Sequence, residues 1–178
     1  MEQPPRLHRL SHLCIRQPIY FLTACTHERQ TLLANIATHD AFLQFARAAY
    51  ERGVAVGRYV LMPDHLHVFA SFAPDALALS EWMKALKGTL AKLWREQPCS
   101  GGLRPPVLDD NKFGGRRPPL QAGPYWQKGF FDHVIRSEES YSEKWRYVME
   151  SPVRKKLVTR AEDWPYAGEM HILRPETP

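Results

Sequence analysis

Cysteine is scarce in this chain. Only Cys14, Cys25 and Cys99 occur in 178 residues, an odd number with no C-x-x-C pair. Neither a disulfide framework nor a zinc ribbon is suggested, and a reducing cytoplasm is the expected compartment. No apolar run approaches the roughly 18 residues that cross a bilayer. The opening Met1-Glu2-Gln3-Pro4-Pro5 lacks the basic-then-apolar pattern of a secretory signal. A soluble, intracellular protein with no membrane partner is expected. Internal repeats are missing. Acidic residues are in deficit, 19 against 24 Lys and Arg, for a net charge of +5. That balance favours a polyanionic partner such as nucleic acid, although many basic proteins bind none.

What is present suits one domain: 178 residues are comfortable for one core and short for two, and 44% apolar content can fill it. Residues 1–16, rich in Pro, Arg and His, read as a basic arm. Ile19 to Cys25 is β-branched and aromatic, a buried strand. Asp40 is placed to cap a helix running to about Arg52, with Phe42, Phe45, Ala46 and Ala49 on one stripe. Val54 to Met62 is a second strand. Pro63-Asp64 then makes a turn, and His65 to Phe72 returns as a third strand of a hairpin.

Leu79 to about Gln97 has a helical apolar face of Leu79, Trp82, Met83, Leu86, Leu90 and Leu93, with Lys84, Lys87, Lys92 and Arg95 mainly off it. Residues 98–124, with many Gly and Pro, form an irregular insertion. Phe130 to Ile135 is a fourth strand. A last core helix spans Ser140 to about Glu150, halted near Pro152. The domain is drawn as 17–168, with 169–178 as a tail. The order β-α-β-β-α-β plus a helix is the ferredoxin-like, split βαβ pattern of an α+β fold. Its antiparallel sheet carries both crossover helices on one face and leaves the other for function.

Two imidazoles draw attention. On a strand, His65 and His67 project together while Leu66 points away. Two histidines on an otherwise apolar strand suit a divalent cation, because neutral imidazole is a common metal ligand. A His-x-His tripeptide alone is more often a surface pair or a satisfied core pair.

The wider order of motifs narrows the choice. Tyr59-Val60-Leu61-Met62-Pro63-Asp64-His65-Leu66-His67-Val68-Phe69 comes first, followed by Trp126-Gln127 and Phe131-Asp132-His133-Val134-Ile135-Arg136. Tyr147 follows, then Ser151-Pro152-Val153-Arg154, Leu157-Val158 and Asp163-Trp164-Pro165. This series, over about residues 18–168, resembles the REP-associated tyrosine transposases of the single-tyrosine HUH superfamily. The resemblance implies that His65 and His67 bind Mg²⁺ or Mn²⁺ and that Tyr147, on the C-terminal helix, is the nucleophile. It implies cleavage and rejoining of single-stranded DNA through a 5′-phosphotyrosine bond, on hairpin-forming repeats in the bacterial nucleoid. A monomer is favoured over the dimers of the wider group.

One position departs. Four residues after the tyrosine the family usually has Asn before Pro; here it is Ser151. Glu150, or water held by Ser151, is therefore a candidate to complete the metal shell, against the plainer reading of Glu150 as a solvated charge. Tyr141 is a rival nucleophile, but six helical residues separate its face from that of Tyr147. Trp145, Trp164, Met62 and Met83 read as packing residues, and His133 is not taken as a ligand. DNA-backbone contacts are expected from Lys84, Lys87 and Lys92, from Arg154, Lys155 and Lys156, and from Arg6, Arg9 and Arg16. Arg104, Arg116 and Arg117 in the insertion are further candidates for hairpin contact. The alternative function is a non-catalytic binder of repeat DNA or single-stranded nucleic acid on the same fold.

Overall fold

A computed structural model describes residues 17–96 and 124–174. The basic arm and nearly all of the 98–124 insertion, with Arg6, Arg9, Arg16, Arg104, Arg116 and Arg117, lie outside them. In chain order the elements are β1 (Ile19–Cys25), α1 (Ile36–Tyr50), β2 (Val54–Leu61), β3 (His65–Phe72), α2 (Leu79–Glu96), β4 (Phe131–Ile135), α3 (Glu138–Met149), α4 (Ser151–Arg154) and β5 (Ala167–Glu169). The five strands form one sheet in the order β4-β1-β3-β2-β5, every pairing antiparallel. Its first four positions are the split βαβ arrangement expected from the sequence.

Alternation along β3 sorts the molecule into two sides. Leu66, Val68 and Ala70 are fully buried on one. There Phe42 of α1 meets Tyr59, while Trp82 of α2 packs edge-on against Phe72 and beside Phe45. Both crossover helices therefore cover the same face. Burying each such large apolar side chain stabilises the fold by roughly 1.5–3 kcal/mol. On the opposite side, Tyr141 and Trp145 of α3 pack against Phe69, with ring centroids 4.8 and 6.3 Å away. The face left open by the crossover helices is thus partly roofed by the tyrosine-bearing helix.

Several local expectations shift. Asn35, not Asp40, caps α1: its side-chain oxygen accepts from the Thr38 N–H at 2.9 Å, and the helix begins one turn earlier. Trp94 joins the buried stripe of α2 beside half-buried Leu93, and its indole N–H donates to Thr38 Oγ1 at 2.9 Å. Ser137 and Ser140 form a capping box, so α3 starts at Glu138.

The stretch read as the start of a tail begins inside β5, and Leu173 beyond it is buried. Gly57 lets this segment cross β2, since a Cβ there would lie 2.7 Å from Leu173 Cδ1. Trp164 and Tyr166 are also core residues, the former donating to the Leu61 carbonyl at 3.0 Å. Among the described residues no helix is long and apolar enough to cross a membrane.

Candidate active site

The two-residue turn Pro63-Asp64 sets the site's edge: the Met62 N–H donates to the His65 carbonyl at 2.8 Å. Buried Thr26 fastens the turn to the end of β1, with its N–H and hydroxyl both donating to the Asp64 carbonyl at 2.9 Å. From there β3 presents His65 and His67 side by side on the α3 side of the sheet, ring centroids 4.8 Å apart and planes at 83°.

Each imidazole has its Nδ1 engaged. For His65 the partner is Asp64 Oδ1 at 2.6 Å, and Asp64 is held in turn by Arg29 at 3.3 Å. The hydrogen bond with His65 is the main reason that the Asp64 carboxyl titrates below its ordinary range. For His67 the partner is Thr23 Oγ1 at 2.9 Å, its direct cross-strand neighbour in β1. Phe21 stacks on the same ring at 5.4 Å. Burial drives the His67 pKa down to about 3, helped by the nearby charges of His65 and Arg154. At neutral pH its lone pair is therefore free of a proton.

A histidine whose Nδ1 is fixed by a carboxylate or hydroxyl has its ring aimed and its other nitrogen available, which is how metal-binding histidines are usually supported. The donor chemistry of this pair fits a divalent cation. Asp64 and Thr23 were not singled out from sequence as supporting groups. Adjacency to His65 hinted at the first, but the second depends on strand register, which has no local signal.

The two tyrosines separate cleanly. Tyr141 is buried against Phe69, with Arg58 over its ring at 5.2 Å, and desolvation pushes its phenol up to about 12. A buried, hard-to-ionise phenol is a core residue. Tyr147, on the same helix, is 64% exposed, and the Arg154 guanidinium lies over its ring at 4.1 Å.

The other expected site residues disperse. Glu150 pairs with Arg154 at 3.6 Å, and buried Ser151 accepts from Arg154 Nη2 at 2.8 Å. Among the described residues no group of three or more His, Cys, Asp or Glu side chains comes together as a metal cage. Glu150 is thus not brought to the histidine pair. Lys84 and Lys92 sit on α2, whose packing face covers the sheet side opposite the histidines, and they pair with Glu81 and Glu96. Lys87 is a structural clasp: its ammonium donates to the Gln127 and Gly129 carbonyls at 2.8 Å, while Trp126 donates back to the Lys87 carbonyl at 2.9 Å. Among the described residues, Lys155 and Lys156 are exposed just past α4.

Residues 14–100 match the family model described as Transposase IS200 like, a stretch that contains both histidines and stops short of Tyr147. The resemblance to REP-associated tyrosine transposases holds in relatives and in fold. A Haemophilus influenzae protein provisionally named a REP-associated tyrosine transposase is 22% identical over 108 residues, 61% of this chain and 54% of that protein. A second, uncharacterised H. influenzae protein is 22% identical over 157 residues, 82% of this chain and 86% of its own length. The solved structure of a REP-associated tyrosine transposase bound to a REP hairpin superposes with a TM-score of 0.61 at 18% identity, covering 94% of this chain and 82% of that one.

Proposed function

We propose that this chain cuts and rejoins single-stranded DNA at hairpin-forming repeats through a 5′-phosphotyrosine bond to Tyr147. The observation that carries this reading is the pair of supported, adjacent imidazoles on the sheet face roofed by the helix that bears an exposed tyrosine. His65 and His67 would hold Mg²⁺ or Mn²⁺; when bound, such an ion polarises a scissile phosphate and offsets charge in the transition state.

The chain's own groups do the rest. Asp64 and Thr23 fix the imidazole orientations, and burial keeps His67 unprotonated. The Tyr147 oxygen attacks the phosphorus as its proton leaves, a tyrosyl phosphodiester to the 5′ side forms, and the 3′-oxygen departs with a proton as a hydroxyl. One phosphoester replaces another, so the reverse attack by a 3′-hydroxyl rejoins strands without ATP. Lys155 and Lys156, exposed just past α4, would contact the DNA backbone. The hairpin held by the fold neighbour supports hairpin DNA as the partner.

The test is incubation with Mn²⁺ and labelled single strands from the repeats of the source genome, read on a denaturing gel. A protein–DNA adduct is expected, lost with EDTA and in Tyr147→Phe. A second reading, a binder that no longer cuts, is favoured by Ser151 in place of an amide. It requires retention of the hairpin without any adduct, an outcome that would end the cleavage reading.

A further inference from the structure

Tyr147 projects from the surface, yet its ring is not left to itself. Arg154 reaches back from the end of α4 and lays its guanidinium over the phenol ring at 4.1 Å. The same group is pinned on its other sides. Nη2 donates to the Tyr147 carbonyl at 2.6 Å and to Ser151 Oγ at 2.8 Å, and Nη1 lies 3.6 Å from Glu150 Oε2. Ser151 is buried, and its hydroxyl is 3.4 Å from the Tyr147 carbonyl. The guanidinium is also close enough to His67 for its charge to act on that imidazole.

We propose that Arg154 is the positioning residue for Tyr147, with Ser151 as its brace. An exposed tyrosine on a helix would otherwise exchange among rotamers. A flat cation stacked on one ring face and tied to the turn below restricts that exchange. Lysine cannot replace it, because a point ammonium has neither the plane to stack nor the fork to bridge. The brace also accounts for a hydroxyl at position 151: it is short, buried and used as the acceptor for Arg154. With both Nη2 hydrogens committed and Nη1 paired with Glu150, Arg154 is poorly placed to serve as one more phosphate contact.

This inference rests on the cleavage reading for its kinetic arm alone. With saturating single-stranded oligonucleotide and Mn²⁺, Arg154→Ala and Arg154→Lys should each slow adduct formation by about 10- to 100-fold, the usual cost of a misplaced reacting group. Oligonucleotide affinity, read by anisotropy without metal, and its salt dependence should stay as in the wild type. Ser151→Ala should slow the reaction less. If Arg154 merely contacted phosphate, the salt slope would drop by about 0.7 and lysine would restore the rate; either result overturns the proposal, as does an unchanged rate in Arg154→Ala.

A second measurement is independent of activity. In metal-free, DNA-free protein, the ring resonances of Tyr147, assigned through Tyr147→Phe, should move toward those of a freely rotating tyrosine in Arg154→Lys and Ser151→Ala. Unmoved resonances overturn the ring contact whether or not the protein cuts DNA. Absence of any wild-type adduct defeats the cleavage reading and leaves the resonances to decide the contact.

Discussion

Strand β3 sends Leu66, Val68 and Ala70 to one side of the sheet and His65 and His67 to the other. The first side is sealed by α1 and α2, and all three residues are fully buried. The second is only partly roofed by α3, and His65 and His67 are half-buried there rather than sealed. Apolar contact makes the closed side tolerant of function-neutral change and intolerant of lost volume. Polar supports make the open side the reverse. At the start of this strand, Leu66 therefore serves stability and its neighbours His65 and His67 the chemistry, while Phe69 further along returns the second side to the core.

That separation can be broken in four ways. His67→Ala should have the largest effect on function: adduct formation should fall by on the order of a thousandfold, because a bound metal supplies several kcal/mol to such a transition state. Thermal unfolding should shift little by comparison. Its neighbour Leu66→Ala should do the opposite, losing about 2–5 kcal/mol of stability from an unfilled cavity while the folded fraction still forms adduct. If Leu66→Ala abolishes cutting in folded protein, the two sides are coupled and the contrast is wrong. Asp64→Ala, which frees His65 Nδ1, should weaken Mn²⁺ binding by roughly 10- to 100-fold in calorimetry; equal affinity would show that the carboxylate does not support the ligand.

The fourth effect concerns pH. His67 titrates at about 3 in the folded chain against an ordinary 6.5. Below 6.5 the unfolded chain takes up a proton that the native one refuses, so this contribution to stability is whole above that pH and is lost as pH falls toward 3. His39 and His171, also lowered by burial, act in the same direction. Tm of the metal-free protein should decline through this window, and less steeply in His67→Gln. Parallel curves for the two proteins would show that His67 is not the buried, neutral group described.

Much of the fold was legible because its signals are local. The β-branched runs of β1 and β2, the alternation in β3 and the helical stripe of α2 each declare themselves within a few residues. Errors fell at ends and edges. The cap of α1 depends on where the backbone turns into the helix, and Asn35 stood one turn ahead of the more conspicuous Asp40. Strand β5 was missed because three residues including Gly168 carry no strand signal; its partner Arg58, with an ion pair to Glu169 at 3.2 Å, is remote in sequence.

The site shows the same division. Chain order alone determined that His65 and His67 share a face, since a strand alternates by geometry, and that Tyr147 and Tyr141 occupy different sides of one helix. Only tertiary structure decided which tyrosine is buried, that Thr23 and Asp64 hold the imidazoles, that Lys87 clasps the chain beside Trp126, and that Arg154 spends its donors around Tyr147. Periodicity is a property of the backbone and can be read along the sequence. Burial, hydrogen-bond partnership and the fields that move a pKa arise between segments far apart in the chain, and they exist only once those segments have met.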